Sequence, residues 1–284
     1  MKDLITILKI CCRENFVSQA ISPRINEPSM AMTLEDQVKG FEIASSHEGP
    51  LAPVQCFAAM TASKAIVNAK KILDLGSGTG HVITKMAYIN PDKQFIALDL
   101  SPGMLEEAKK LAKNMNLKNI EFRLGDMTDL TQFENENIDA VTSSLALHHL
   151  RSAEDLTKTF CEVKKIIGNS GMFSFYDVGR LKSKESITDL ISLHNNHTPV
   201  YVEDTINSYQ AAFVKEDFDN ALKVSGLWHQ ANLKATMLTP TFIKANSLHY
   251  ALGEQQQKRL KELVSKMSFK NRSFFQILRF YFLE

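Results

Sequence analysis

Residues 71–80 read Lys-Ile-Leu-Asp-Leu-Gly-Ser-Gly-Thr-Gly, a short strand-like run closing on three alternate glycines. A helical pattern, HVITKMAYI, begins at once with His81. Glycines at a strand-to-helix turn let the backbone bend sharply and approach a ligand, while the helix start favours negative charge. A dinucleotide loop reads GxGxxG. Here the third glycine comes one residue early, and His81 stands in its place. An acid, Asp74, also precedes the first glycine by two positions.

The same rhythm continues on the C-terminal side. QFIALDL at 94–100 is followed by Ser101 and Pro102, a capped helix start, with Glu106 and Lys110 at i,i+4 spacing. NIEFRL at 119–124 and IDAVTSS at 138–144 are further strand-like runs. Ser152-Ala-Glu-Asp155 has capping-box spacing, and Leu156, Phe160, Val163 and Ile167 recur at helical intervals before Gly168 and the fifth run, GMFSFYDV at 171–178. Alternating strands and helices predict βαβ units on a doubly wound parallel sheet. Two acids end successive runs. Asp99, with Leu100 beside it, closes the second and can accept both hydroxyls of a ribose. Asp126 follows the third in Leu-Gly-Asp-Met, where it can accept an exocyclic amine while Met127 offers apolar contact to a ring.

DLGSGTG, IALDLS, LGDM, IDAVTSSLALHHL and EVKKIIGNSGMFSFYDV resemble, in this order, the motifs of class I S-adenosylmethionine-dependent methyltransferases. Within that group they look most like the small-molecule methyltransferases related to those of ubiquinone and menaquinone synthesis. The resemblance covers about residues 68–178 well and extends loosely to the closing strands, while 1–67 and 179–212 match only as variable, substrate-shaping segments. It implies an α/β, Rossmann-like seven-stranded mixed sheet, mostly parallel with the last strand antiparallel. It also implies a donor site for S-adenosylmethionine and its product S-adenosylhomocysteine (SAH). Asp74, Gly76, Ser77, Gly78 and Gly80 would hold the methionine portion, Asp99 the ribose and Asp126 the adenine. Ser143, at the end of the fourth run, would stand near the amino group or sulfonium.

Methyl transfer from a sulfonium needs chiefly positioning, with a general base where the acceptor must lose a proton. His148, His149 and Asp177 are the expected catalytic residues, with Tyr176, His194 and His197 as further proton-accepting side chains. An imidazole titrates near neutrality, which suits a phenol, acid or enol. His194 shares a helical face with Ile187, Leu190 and Ile191, so packing is its expected role, and no metal site is expected.

The flanks carry the specificity. Residues 1–67 read as a helical cap or substrate lid, with a helix opening at Thr33-Leu-Glu-Asp36 and running to about Ala44. Met30, Met32, Phe41, Phe57 and Met60 would line an apolar acceptor pocket or the cap's own core. The methyltransferase domain would run from 68 to 284, with an insertion at 179–212 holding a helix near 184–195. A helix is expected at about 254–267, and closing strands at 227–237 and 274–282, although TFIKANS at 241–247 also alternates.

Composition narrows the partners. Lys+Arg number 33 against 32 Asp+Glu, so the surface is not uniformly basic. Residues 251–284 nevertheless carry four excess positive charges among Phe269, Phe274, Phe275, Phe280 and Phe282. RNA could use such a segment, but core aromatics beside a solvated basic face are the favoured reading. No (N/D/S)PP(Y/F/W) run follows the fourth strand and no Pro-Cys pair occurs, which argues against DNA-base or protein-glutamine acceptors. Four cysteines without CxxC spacing fit a reducing compartment. No apolar run reaches the roughly 20 residues of a membrane span. The expectation is a cytoplasmic methyltransferase for a small organic acceptor, without membrane or nucleic-acid partners and with a homodimer open. A non-catalytic donor-binding scaffold and an RNA methyltransferase are the alternatives.

Overall fold

The computed structural model describes residues 2–17, 21–28, 40, 42–193, 199–236, 242–247 and 250–282. Seven strands form one sheet: β1 (Lys71–Leu75), β2 (Gln94–Asp99), β3 (Ile120–Leu124), β4 (Ala140–Ser144), β5 (Met172–Val178), β6 (Asn232–Ala235) and β7 (Phe242–Asn246). Their order is β3-β2-β1-β4-β5-β7-β6. The first five are parallel, and β7 runs antiparallel between β5 and β6. The chain winds outward from β1 in both directions, so the ends of β1 and β4 part at the topological switch point where open α/β sheets bind ligands.

Alternation along the strands feeds two cores. Ile72, Phe95, Ala97, Ala140 and Tyr176 enter one, while Leu73, Ile96, Val141, Phe173 and Phe175 enter the other. The first face is covered by α2 (Ala52–Ala65), α3 (His81–Ile89), α9 (Glu254–Ser265) and α10 (Phe269–Phe282). The second is covered by α5 (Ala153–Ile167) and α8 (Lys215–Ser225). Between β2 and β3, α4 (Pro102–Asn114) packs on both. Burial on both faces explains why these strands read as nearly continuous apolar runs.

Local signals set the helix starts. Ser101 Oγ accepts from Met104 N, and Ser152 Oγ accepts from Asp155 N, as their spacing predicts. On α4 the ion pairs differ from expectation: Glu106 pairs with Lys109 and Glu107 with Lys110, both at i,i+3. Each pair is exposed, so solvent screening leaves it little weight in stability.

Residues 274–282 are not a strand. They belong to α10, whose Phe275, Leu278 and Phe282 are buried at i, i+3 and i+7 while Phe280 faces outward. Aromatic content suggested a strand, but the burial has helical spacing, and tertiary packing decides such runs. The last strand is instead the alternating segment at 242–246. Within 227–237, a 3₁₀ turn at Trp228–Gln230 precedes the short β6.

The N-terminal α1 (Lys2–Phe16) packs against α6 (Lys184–Ser192), where Arg13 Nη1 lies 2.9 Å from Asp189 Oδ2. After α6 comes α7, Pro199–Ala211, with Pro199 opening it. The start of the expected 33–44 helix, together with Met30, Met32, Phe41, His194 and His197, lies outside the described residues. Phe57 and Met60 are buried on α2 in the core beneath the sheet, Phe57 stacking on Phe282. Among the described residues, no helix is long and apolar enough to cross a membrane.

Candidate active site

The loop after β1 is held open by backbone geometry. Gly76 and Gly78 have φ of +65° and +55°, in the left-handed region that favours glycine. A Cβ on Gly76 would lie 2.4 Å from the Ala146 Cβ, so the turn and the chain after β4 touch there. A Cβ on Gly78 would meet nothing within 4 Å, because that residue faces an open crevice. Ser77 N donates to Leu98 O, which ties the loop to β2, and Gly80 opens α3.

This crevice, about 110 Å³, runs along the C-terminal ends of β1, β2 and β3. Asp74, Gly76, Ser77, Gly78, Asp99, Leu100, Asp126 and Met127 all line it. Thr142 Oγ1 donates to Asp74 Oδ1 at 2.6 Å, and Ser77 Oγ donates to Oδ2 at 2.9 Å. Burial outweighs these two donors and pushes the Asp74 carboxyl up to about 7. Asp99 Oδ2 accepts from Gly78 N at 2.7 Å and its Oδ1 from Ser101 N at 2.9 Å, and burial raises its pKa too. Asp126 Oδ1 accepts from Thr128 N, a local turn that points the carboxylate along the loop. Ser143 does not reach the crevice: its side chain is buried and its hydroxyl donates to Leu75 O. Its neighbour Ser144 lines the crevice instead, as strand alternation requires.

A second cavity of about 160 Å³ lies beside the first, lined mainly by apolar side chains of α1, α6, α7 and α10. The two share Leu145 and His149. Leu145 follows β4 with φ +57°, pinned by its N–H on Tyr176 O, so it projects where the two cavities meet. His148 and His149 sit in a 3₁₀ turn at Leu147–His149, and both line the apolar cavity.

Asp177, near the end of β5, is buried and bonded to the turn that carries His148. Its Oδ1 lies 2.6 Å from His148 Nδ1, and its Oδ2 accepts from Leu147 N at 2.6 Å. Burial lowers the His148 pKa, but Asp177 and then Glu27 outweigh it and hold the imidazole above its ordinary value. Tyr176 is a core residue stacked on Phe242.

Several residues at this site carried no sequence signal. Glu27 lies 3.6 Å from His148 Nε2 through Oε1 and 2.9 Å from His149 Nδ1 through Oε2. Asp204, on α7, lines the apolar cavity, and burial with Glu27 nearby pushes it up to about 6. Gln55 and His81 border the crevice, and behind them burial pushes the Lys85 amine down to about 8. Lys85 Nζ donates to His81 O at 2.8 Å. The His81 and Lys85 pair on the first turn of a glycine-loop helix was the available signal.

A methyltransferase-domain family model matches residues 66–267. The chain belongs to the S-adenosylmethionine-dependent methyltransferase family. Among curated members, the demethylmenaquinone methyltransferase of Leptospira interrogans is 34% identical over 113 residues, covering 39% of this chain and 44% of that protein. The malonyl-[acyl-carrier protein] O-methyltransferase of Nitrosospira multiformis is 30% identical over 128 residues, 40% of each chain. The match thus spans less than half the length of these two relatives. Among solved methyltransferases, the plantazolicin methyltransferase BpumL in complex with SAH superposes with a TM-score of 0.58 at 14% identity, covering 94% of this chain and 93% of that one. At that identity the likeness is one of fold.

The crevice fits the family's donor on its own chemistry. Open space at Gly78, three carboxylates at successive strand ends and the apolar Leu100, Met104 and Met127 suit an ammonium, a ribose and an adenine ring.

Proposed function

We propose that this chain transfers a methyl group from S-adenosylmethionine to a small, largely apolar organic acceptor in the cytoplasm. The observation that carries the reading is the meeting of a carboxylate-lined crevice and an apolar cavity at Leu145 and His149. Bound in the crevice, the donor supplies a methyl group on a sulfonium, already poised for displacement by a nucleophile in line with the carbon–sulfur bond.

The chain's own residues then bind, orient and accept a proton. Asp74 with Gly76, Ser77 and Gly78 holds the methionine portion, Asp99 the ribose, and Asp126 with Leu100 and Met127 the adenine. Gly80, expected in the same contact, packs against Ala108 of α4 outside the crevice lining. The apolar cavity holds the acceptor's body and excludes water, which supplies orientation worth several orders of magnitude in rate. His149, on the border of both cavities, takes the acceptor's proton, helped by His148. Asp177 is a positioning residue, since it orients His148 without reaching either cavity. Helices α1, α6 and α7 wall the acceptor cavity, which supports a substrate-shaping role for the N-terminal cap and the insertion.

Two measurements test this. Calorimetric titration with SAH is expected to give one site, weakened at least tenfold by Asp99→Ala; unchanged binding in that variant would remove the donor assignment. Incubation with methyl-labelled donor and a metabolite extract is expected to label small apolar molecules. Label appearing only on protein or RNA would overturn the acceptor class.

A further inference from the structure

Glu27, His148 and His149 bring one carboxylate oxygen and one nitrogen from each imidazole within 4.8 Å of one another. All three are largely buried, with side-chain exposures of 8%, 5% and 22%, and the two histidines line the apolar cavity. Adjacent ligands on a tetrahedral ion, each about 2.0–2.1 Å from the metal, stand roughly 3.3 Å apart. Glu27 Oε1 stands 3.6 Å from His148 Nε2 and its Oε2 2.9 Å from His149 Nδ1, so the carboxylate meets each imidazole near that distance through a different oxygen.

Hydrogen bonding alone does not account for the cluster. His149 Nδ1 is buried and makes no hydrogen bond despite its approach to Glu27. His148 has the arrangement common among metal-bound histidines, one ring nitrogen held by a carboxylate and the other left for the ion. Asp177 Oδ1 takes Nδ1 at 2.6 Å, and Nε2 faces Glu27. Glu27 is itself oriented, since Ser208 Oγ donates to its Oε1 at 2.9 Å.

The geometry points to a binding site for a divalent first-row transition metal of the zinc class, held by Glu27, His148 and His149, with its remaining coordination positions facing the acceptor cavity. Two imidazoles and one carboxylate favour such an ion over magnesium or calcium. Positions open to the cavity would take an oxygen donor, so the acceptor class narrows to apolar molecules bearing a hydroxyl or carboxylate. With the ion bound, the imidazole nitrogens are ligands, and their proton-accepting role belongs to the metal-free protein. The metal site stands on its own residues, and only this narrowing rests on the acceptor reading.

The test uses the full-length, tag-free chain, stripped with a chelator and titrated with zinc against a chromophoric competitor. One zinc per chain is expected, with Glu27→Gln and His149→Ala each weakening it at least tenfold and Asp177→Asn about tenfold. Cobalt substitution is expected to give the absorption bands of a low-coordinate site, lost in His149→Ala. Substoichiometric zinc, or variants that bind it as the parent does, would overturn the site. SAH titrations on the same samples verify folding and separate the two readings. SAH binding without zinc removes the metal site alone, whereas zinc binding without SAH leaves it standing and removes the donor assignment.

Discussion

Asp74 shows how burial converts an ordinary carboxylate into a pH-sensitive contact. Its carboxyl is raised to about 7 by burial and then partly restrained by the Thr142 and Ser77 hydroxyls. A donor ammonium prefers the ionised form, so below pH 7 binding must first remove a proton. SAH affinity is therefore expected to rise by up to tenfold per pH unit towards 7 and to level off above it. Calorimetry from pH 5.5 to 8.5 checks this, and Asp74→Asn should flatten the curve; a flat profile in the parent would exclude Asp74 from the contact. Asp74, Asp99 and Asp126 were legible in the sequence because each stands at the end of a strand-like run, next to glycine or a helix start. Ser143 shows the limit of that legibility. A shift of one residue along a strand turns a side chain from the crevice to the interior, and Ser144 occupies the place expected of Ser143.

At the scale of the element, the loop between β1 and α3 separates two roles for glycine. Gly76→Ala would force a Cβ to within 2.4 Å of the Ala146 Cβ at a φ of +65°. A cost of about 2–4 kcal/mol is expected from overpacking and left-handed strain together, read as a lower Tm with or without ligand. Gly78→Ala faces open space and should cost only the strain, about 1–2 kcal/mol, while its methyl group occupies the crevice. SAH affinity should then fall tenfold or more with little change in melting. Equal melting losses in the two variants would refute this division. Helices α4 and α5 were legible from their serine caps, whereas α10 was not. Phe274, Phe275 and Phe280 have the composition of a strand, and only packing against α2 selects the helical face.

Across the whole molecule, Arg24 ties the N-terminal segment to the ends of the fold. Its guanidinium donates to His148 O at 2.8 Å, Arg151 O at 2.7 Å and Ala211 O at 2.6 Å, also reaches Leu150 O, and lies over the Phe213 ring. Arg24→Ala leaves several of these carbonyls without that donor and should cost about 2–4 kcal/mol. It should also free Glu27, three residues on, and so weaken acceptor binding. SAH affinity is expected to fall less than acceptor binding, because Arg24 reaches the crevice at its edge, through the Leu150 carbonyl. Thermal melting and parallel titrations measure both effects; equal loss of donor and acceptor would show that the segment supports the entire site.

The sequence by itself determined the five parallel strands, their doubly wound pattern and the glycine-and-carboxylate crevice at their ends. Those depend on local signals, namely alternation, caps and a glycine turn, that lie within a few residues of one another. The tertiary structure alone decided the closing strands, the apolar cavity and the Glu27–His148–His149 cluster. The residues of the cavity and the cluster come from α1, the 21–28 segment, the turn after β4, α6, α7 and α10, each ordinary in its own stretch of chain. Long-range packing brings them together, and no local pattern records that.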